Sequence, residues 1–309
     1  MSHTPVIAAV VDIGSNGVRL VVFHVKGSVH QIIHEERCDC RLAEGLAGSK
    51  PKLSQHSMQK ALKALKEFSK SIARFEPSVV TAVATAAIRS VADTKQGKAF
   101  HTKAEKALGY PIRIISGVTE ARYTAQGVLT AFPKAIGLCV DMGGGSLELA
   151  YVSSGKVRQT STLPLGSLTL SMRTKGDPLL REVLLDHHLE KNPILRKAKG
   201  KTIFATGGSW RAMARLLMRA RGMRMKSIHG YKLSAKTAYK PIAEIAMESP
   251  KKFKKLNKKI SQRAETLPAA AAAMLKIFEY AQPKDIVFSS YGIRNGALLA
   301  ALRSDTEHH

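Results

Sequence analysis

The chain has 309 residues, 44% hydrophobic and 23% charged, a globular composition long enough for two domains with separate cores. Its 49 Lys and Arg against 23 Asp and Glu give a net charge of +26, which repels itself in a compact chain unless a polyanion meets it. No apolar run approaches the roughly 18–20 residues that cross a bilayer, and Pro5–Val11 has no basic flank and ends at Asp12, so neither membrane span nor signal peptide is expected. The cysteines Cys38, Cys40 and Cys139 form no disulfide framework and no metal-ligand spacing. This places the chain in the cytoplasm, with Cys38 and Cys40 inert. The charge excess leaves nucleic acid, an acidic membrane surface or a phosphate-rich substrate as partner classes, beside a merely solvated basic surface.

In chain order, Val6–Val11 and Val18–Val25 are β-branched runs flanking Gly14-Ser15-Asn16-Gly17, the pattern of a hairpin. Met58, Leu62, Leu65, Phe68, Ile72 and Phe75 recur at helical spacing behind Ser54, a capping residue. Val79–Ala84 and Ile112–Ile115 read as strands around a helix over Thr94–Leu108, and Ser116-Gly117 turns into a helix over Thr119–Phe132. Ala135–Val140 and Leu147–Val152 are again two strands, separated by Asp141-Met142-Gly143-Gly144-Gly145-Ser146. Asp12 and Asp141 lie 129 residues apart in the same context, which predicts an internal duplication. Ile203–Thr206 leads through Gly207-Gly208 into a helix over Ser209–Met218, and Pro268 opens a helix through Ala269–Ala273. Ile286–Ser290 leads through Tyr291-Gly292 into a helix over Ile293–Leu302. This mixture predicts an α/β protein with a first domain over 1–132 and a second over 133–309. A basic helical insert is expected over about 170–280, and packing of the last helix on the first domain is left open.

The charge is uneven. Between Arg196 and Arg263, 20 Lys and Arg stand against only Glu244 and Glu248, so 18 of the 26 net charges fall in 68 residues. Ile242, Ile245, Ala246 and Phe253 recur there at helical intervals, which predicts basic-faced helices rather than a disordered tail. A long polyanion would follow a track of Lys197, Lys199, Arg211, Arg215, Lys251, Lys252, Lys254 and Lys255.

Glycine turns place no side chains in the way of phosphate oxygens, so their amides, and the helix N-termini behind them, can cradle an anion. A carboxylate at a strand end, such as Asp12 or Asp141, can hold a divalent cation beside those oxygens. Two hairpins and two glycine–helix junctions predict a phosphate cleft between duplicated halves.

Six stretches are more specific. They are Val11-Asp12-Ile13-Gly14-Ser15-Asn16, Ala84-Thr85-Ala86-Ala87-Ile88-Arg89, Ile115-Ser116-Gly117 with Glu120-Ala121-Arg122, Val140-Asp141-Met142-Gly143-Gly144-Gly145-Ser146-Leu147-Glu148-Leu149, Ala205-Thr206-Gly207-Gly208-Ser209 and Gly292-Ile293-Arg294-Asn295-Gly296. Together, and in this order, they resemble the motifs of the exopolyphosphatase and guanosine pentaphosphate phosphohydrolase family over nearly the whole chain, in its short two-domain form. The resemblance implies two ribonuclease-H-like domains of the actin, Hsp70 and hexokinase superfold closing over a phosphate cleft.

The resemblance also implies roles. Glu120 falls on the base that orients the attacking water, and Arg89 on the contact to the terminal phosphate, where a guanidinium suits the geometry and the developing charge. Asp141 and Glu148 fall on carboxylates associated with Mg2+, with Mn2+ as the alternative. Asn16, Ser146 and the amides of Gly143, Gly144, Gly145, Gly207 and Gly208 are then phosphate contacts. Without the resemblance, Glu120 is a first-turn carboxylate favouring its helix N-terminus and Arg89 a surface arginine.

The implied activity is release of terminal orthophosphate from inorganic polyphosphate. Hydrolysis of guanosine pentaphosphate, a phosphorylated guanine nucleotide, stays open, as does a catalytically idle relative that holds polyphosphate or nucleic acid. The intact Glu120, Asp141, Glu148 and Arg89 set argues against idleness, and Ser-Gly-x-x-Glu-Ala-Arg argues against a kinase of the same superfold. No membrane partner is expected, and a homodimer is an open assembly. Thr119 stands where the family has a first glutamate, and Arg19 and Asn295 where it has a histidine-like and an acidic residue. Asp186-His187-His188-Leu189-Glu190 reads as a polar helix face rather than a metal cluster. Trp210 is expected to pack at a domain surface, and His308-His309 are set aside.

Overall fold

A computed structural model describes residues 5–27, 29–46, 51–223 and 227–306, so His308-His309 lie outside the described residues. The chain forms two compact units: the residues up to Tyr123 together with those from Ile293 onward, and Thr124–Gly292. The division therefore falls at Tyr123, inside a helix, rather than at 132, and the last helix belongs to the first unit.

The first unit contains β1 (Val6–Ile13), β2 (Val18–Lys26), β3 (Val29–Cys38), α1 (Gln55–Phe75), β4 (Val79–Ala84), α2 (Ala86–Arg89), α3 (Lys95–Leu108), β5 (Ile112–Ile114) and the start of α4 (Gly117–Ala131). Its sheet runs β3-β2-β1-β4-β5, with β1, β2 and β3 antiparallel and β4 and β5 parallel to β1. Ser54 caps α1 by accepting from the Ser57 amide, and Ala61, Leu65, Phe68 and Ile72 form its buried stripe. The helix stops where Glu76 turns left-handed ahead of Pro77.

The second unit contains β6 (Gly137–Met142), β7 (Leu147–Ser153), β8 (Lys156–Leu163), α5 (Ser167–Thr174), α6 (Pro178–Leu189), α7 (Pro193–Lys197), β9 (Thr202–Thr206), α8 (Gly208–Ala220), β10 (Lys232–Ser234), α9 (Ala235–Met247), α10 (Pro250–Lys254), α11 (Lys258–Ser261), α12 (Leu267–Ala281) and β11 (Asp285–Phe288). The sheet order is β10-β11-β9-β6-β7-β8. Read from the other end, β8-β7-β6-β9-β11 repeats the order of the first sheet, with β10 added at the edge. This is the duplication expected from the two hairpins, in the ribonuclease-H-like arrangement that the family resemblance implies. Within the basic segment, β9 is the strand expected over Ile203–Thr206, and β10 interrupts the helices beyond it.

Three strands were not expected: β3, β8 and the short edge strand β10. β3 and β8 are the third antiparallel strands of their sheets, at the edge in both, and their residues are largely exposed or half-buried. The last helix, α13 (Ile293–Thr306), places Ala297 and Leu298 in the apolar cluster of Ala8, Val10, Val21, Phe23 and Val83. Burying such side chains contributes about 1.5–3 kcal/mol for each large one, which is why the chain returns to its first sheet.

Trp210 is not at a surface. It is 0% exposed in the core of the second unit, and its Nε1 donates to the Ala270 carbonyl at 2.8 Å. The small residues of α12 leave room for an indole to reach that backbone. Asp186-His187-His188 lies at the end of α6, with His187 exposed, and Asp186 accepts from Tyr280 Oη at 2.6 Å and pairs with Lys276 at 3.0 Å. Burial pushes the Cys38 thiol up, the Cys40 thiol to about 12 and the Cys139 thiol higher still, so all three stay protonated and unreactive near neutral pH. No helix among the described residues is long and apolar enough to cross a membrane.

Candidate active site

Each unit assembles part of the expected set. In the first, Ser116 opens α4: its Oγ accepts from the Thr119 amide at 3.1 Å and shares a hydrogen bond with Thr119 Oγ1 at 2.9 Å. That start puts Glu120 in the first helical turn, 7% exposed. Arg89 closes the short helix α2 behind β4, and its Nη1 donates to the Ile115 carbonyl and to Glu120 Oε2, both at 2.9 Å. The two residues expected to do chemistry are thus in direct contact.

The first hairpin turn closes with the Gly14 amide donating to the Gly17 carbonyl at 3.0 Å. The carbonyls of Ser15 and Asn16 accept from the Ala43 and Arg41 amides, so the turn is held from behind. The Asn16 side chain makes no hydrogen bond among the described residues. Asp12, one of the two strand-end carboxylates able to hold a cation, is paired instead with Arg294 Nη1 at 3.3 Å.

The second unit repeats the turn with the Gly143 amide donating to the Ser146 carbonyl at 3.0 Å. That amide is spent on closing the hairpin. The carbonyls of Gly143 and Gly144 accept from Ser167, Leu168 and Thr169 at the start of α5. The amides of Gly144 and Gly145 donate no hydrogen bond among the described residues, the condition an anion cradle requires. The Oγ of Ser146 is buried without a hydrogen-bond partner, which is unfavourable by about 1–3 kcal/mol until an oxygen completes it.

Asp141 and Glu148 are register partners across β6 and β7, so their side chains leave the same face of the sheet. Thr124 Oγ1 donates to Asp141 Oδ2 at 3.2 Å and Thr162 Oγ1 to Glu148 Oε1 at 3.1 Å. Glu148 is only 2% exposed. Gly207 lies against Asp141 with φ +100°, and a Cβ there would stand 2.6 Å from Asp141 Oδ1 and 2.8 Å from the Met142 carbonyl. Only glycine fits. Among the described residues no group of three or more His, Cys, Asp or Glu gathers as a metal site. Two carboxylates side by side could hold a cation of the Mg2+ kind, which keeps waters and takes its other ligands from substrate phosphates.

A further residue stands at the Gly207-Gly208 turn. Arg263 is 8% exposed and its guanidinium lies over Gly208, where a Cβ would stand 3.0 Å from Cζ, Nε and Nη2. It stands beside the N-terminus of α8, 55 residues away in sequence, and no local pattern marks it.

The basic track sorts into kinds. Arg211 and Arg215 stand one turn apart on α8, directly behind the Gly207-Gly208 turn. Arg215 Nη1 donates to the Arg211 carbonyl at 3.0 Å, Arg211 Nη1 to the Ser290 carbonyl at 3.4 Å, and burial lowers the Arg215 guanidinium from its usual range. On α10 and its edge, Lys252 is paired with Glu248 and Lys254 with Glu265, while Lys251 and Lys255 are exposed. Lys197 sits over the Tyr151 ring at 5.2 Å and Lys199 is exposed.

Two sheets of this order, each with a strand-end carboxylate at a glycine-rich hairpin, define an α/β protein of the ribonuclease-H-like class. The Ppx/GppA phosphatase family model matches residues 20–305, and the chain belongs to that family of phosphohydrolases. It is similar to a solved Ppx/GppA family member from Aquifex aeolicus, with 26% identity, a TM-score of 0.77, and coverage of 99% of this chain and 100% of that one. An exopolyphosphatase from Cytophaga hutchinsonii has the same fold at 20% identity, with a TM-score of 0.85 over 96% of this chain and 98% of that one.

Proposed function

We propose that the protein is a Mg2+-dependent exopolyphosphatase, releasing terminal orthophosphate from inorganic polyphosphate. The observation that carries the choice of substrate is the basic segment, whose arginines Arg211 and Arg215 follow directly behind the Gly207-Gly208 turn. A long polyanion gains from cations beyond the phosphate it loses, and a single nucleotide does not. Glu120 orients the attacking water, Arg89 meets the terminal phosphate, and the amides of Gly144 and Gly145 with the Ser146 hydroxyl take phosphate oxygens. Asp141 and Glu148 would hold Mg2+, which supplies neutralisation of the developing charge on phosphate oxygens.

One observation favours guanosine pentaphosphate as a second reading. The His229 ring lies 5.1 Å from both Phe132 and Tyr291, in the second unit beside the Gly292 turn, and aromatic rings of this kind can stack a nucleobase. Orthophosphate release should be measured with Mg2+ from long polyphosphate, guanosine pentaphosphate and ATP in parallel. Preference for long polyphosphate supports the proposal, preference for guanosine pentaphosphate replaces its substrate, and release from none of them removes the hydrolase reading.

A further inference from the structure

Arg89 offers more than one edge. A guanidinium has five N–H donors in a fixed plane. In this structure both contacts of Arg89 run through Nη1, one to the Ile115 carbonyl and one to Glu120 Oε2, each at 2.9 Å. Nε and Nη2 make no hydrogen bond among the described residues, and the side chain is 27% exposed against 10% for Glu120. That remaining edge is the pair of parallel N–H groups that matches two oxygens of a phosphate.

We propose that Arg89 is a bridge: its Nη1 side fixes the carboxylate of Glu120 while its Nε–Nη2 edge receives the terminal phosphate, so that base and substrate are positioned by one rigid plane. This deepens the exopolyphosphatase reading and rests on it for the identity of the phosphate. The local build supports the bridge. Arg89 is held at the end of α2 by its amide, which donates to the Thr85 carbonyl at 3.0 Å, and the Ile115 carbonyl immediately precedes the Ser116 cap of α4. The backbone of Arg89 is thereby tied to the exit of β4 and its guanidinium to the start of the helix that carries Glu120. A rotation of either element alone breaks a contact. Arg89 is thus both a phosphate contact and a positioning residue for Glu120. The alternative, in which Glu120 and phosphate compete for the same N–H groups, needs no second edge and makes the opposite prediction for binding.

Arg89→Lys keeps a positive charge for the phosphate but has no plane with two edges. With tripolyphosphate and Mg2+ it should lower kcat at least about a hundredfold while changing KM less than about tenfold, and guanidinium should partly restore an Arg89→Ala variant. A raised KM with kcat retained would overturn the bridge and leave Arg89 as a simple phosphate contact. Equilibrium binding of tripolyphosphate to Glu120→Asp gives a readout that needs no turnover, because the shorter carboxylate keeps its charge but loses reach to Nη1. The bridge predicts binding no tighter than wild type, whereas tighter binding means that Glu120 competes with phosphate and contradicts it. If wild type releases no orthophosphate from any polyphosphate, the exopolyphosphatase reading falls, and the binding comparison still decides the bridge.

Discussion

Arg19 and Glu148 occupy the same place in the two hairpins: Arg19 stands directly across from Asp12, and Glu148 directly across from Asp141. The duplicated halves therefore share the strand-end aspartate and differ in the charge of its partner. Asp12 has a second cation in Arg294, and Arg19 is paired with Glu35 at 3.5 Å. Only the second hairpin sets two carboxylates side by side.

A divalent cation should accordingly depend on the second hairpin. Asp141→Asn is expected to raise the Mg2+ concentration for half-maximal orthophosphate release by at least about tenfold, the scale on which a lost or weakened ligand acts. Asp12→Asn should shift it less than about threefold. A Mg2+ titration of both variants checks this, and equal shifts would contradict it.

The Asp12–Arg294 pair has a structural role instead. It fastens α13 to the end of β1, with both side chains 16% exposed. Arg294→Ala leaves Asp12 half-buried beside one fewer cation and should reduce stability by about 1–3 kcal/mol in urea unfolding. Adding Asp12→Asn to that variant should recover part of the loss, because the uncompensated carboxylate is then gone.

Arg211 and Arg215 should matter in proportion to substrate length. Arg211→Gln with Arg215→Gln is expected to raise KM for long polyphosphate at least about tenfold while leaving tripolyphosphate within about threefold. The slope of log affinity against log salt should fall by about 1–2. A KM change that is the same for both substrates would remove the track.

These expectations rest on features that were unevenly legible. The hairpins could be read because a glycine turn between β-branched strands has a local signature, and its repetition after 129 residues gave the duplication. β3 and β8 could not, since an edge strand such as His30-Gln31-Ile32-Ile33-His34-Glu35-Glu36-Arg37 meets solvent and has no alternating apolar face. Glu120 and Arg89 were legible only through resemblance, and their contact is a tertiary fact made by the Ser116 cap and the end of α2. Arg263 was invisible because its neighbour Gly208 is distant in sequence. Trp210 is buried rather than at a surface because the alanines of α12 lie behind the Gly207-Gly208 turn, which the residues beside that turn do not reveal.

Acid should weaken the fold. Burial holds His30, His188 and His229 below the ordinary imidazole range, with the neighbouring His187 and Arg173 adding to the shift at His188. His229 Nδ1 also accepts from the Ser290 amide at 3.3 Å, a contact that requires an unprotonated nitrogen, and its ring packs on Phe132 and Tyr291. A depressed folded pKa contributes stability above the unfolded value, about 6.5, which is lost as pH falls below it toward the folded value. Stability measured by urea unfolding should therefore decline from about pH 7 to pH 5, and the decline should be shallower in His229→Asn. An unchanged slope would mean that His229 is not part of it.

The proposed hydrolase turns on Glu120 as the base that orients the attacking water. The most direct test of that role is orthophosphate release from long polyphosphate with Mg2+, comparing wild type with Glu120→Gln, which retains the size of the side chain and an oxygen for Arg89. Wild type should release orthophosphate continuously and the variant at least about a hundredfold more slowly, with polyphosphate still bound. Equal rates in the two proteins would remove Glu120 as the base, and no release by wild type would remove the polyphosphate hydrolase itself.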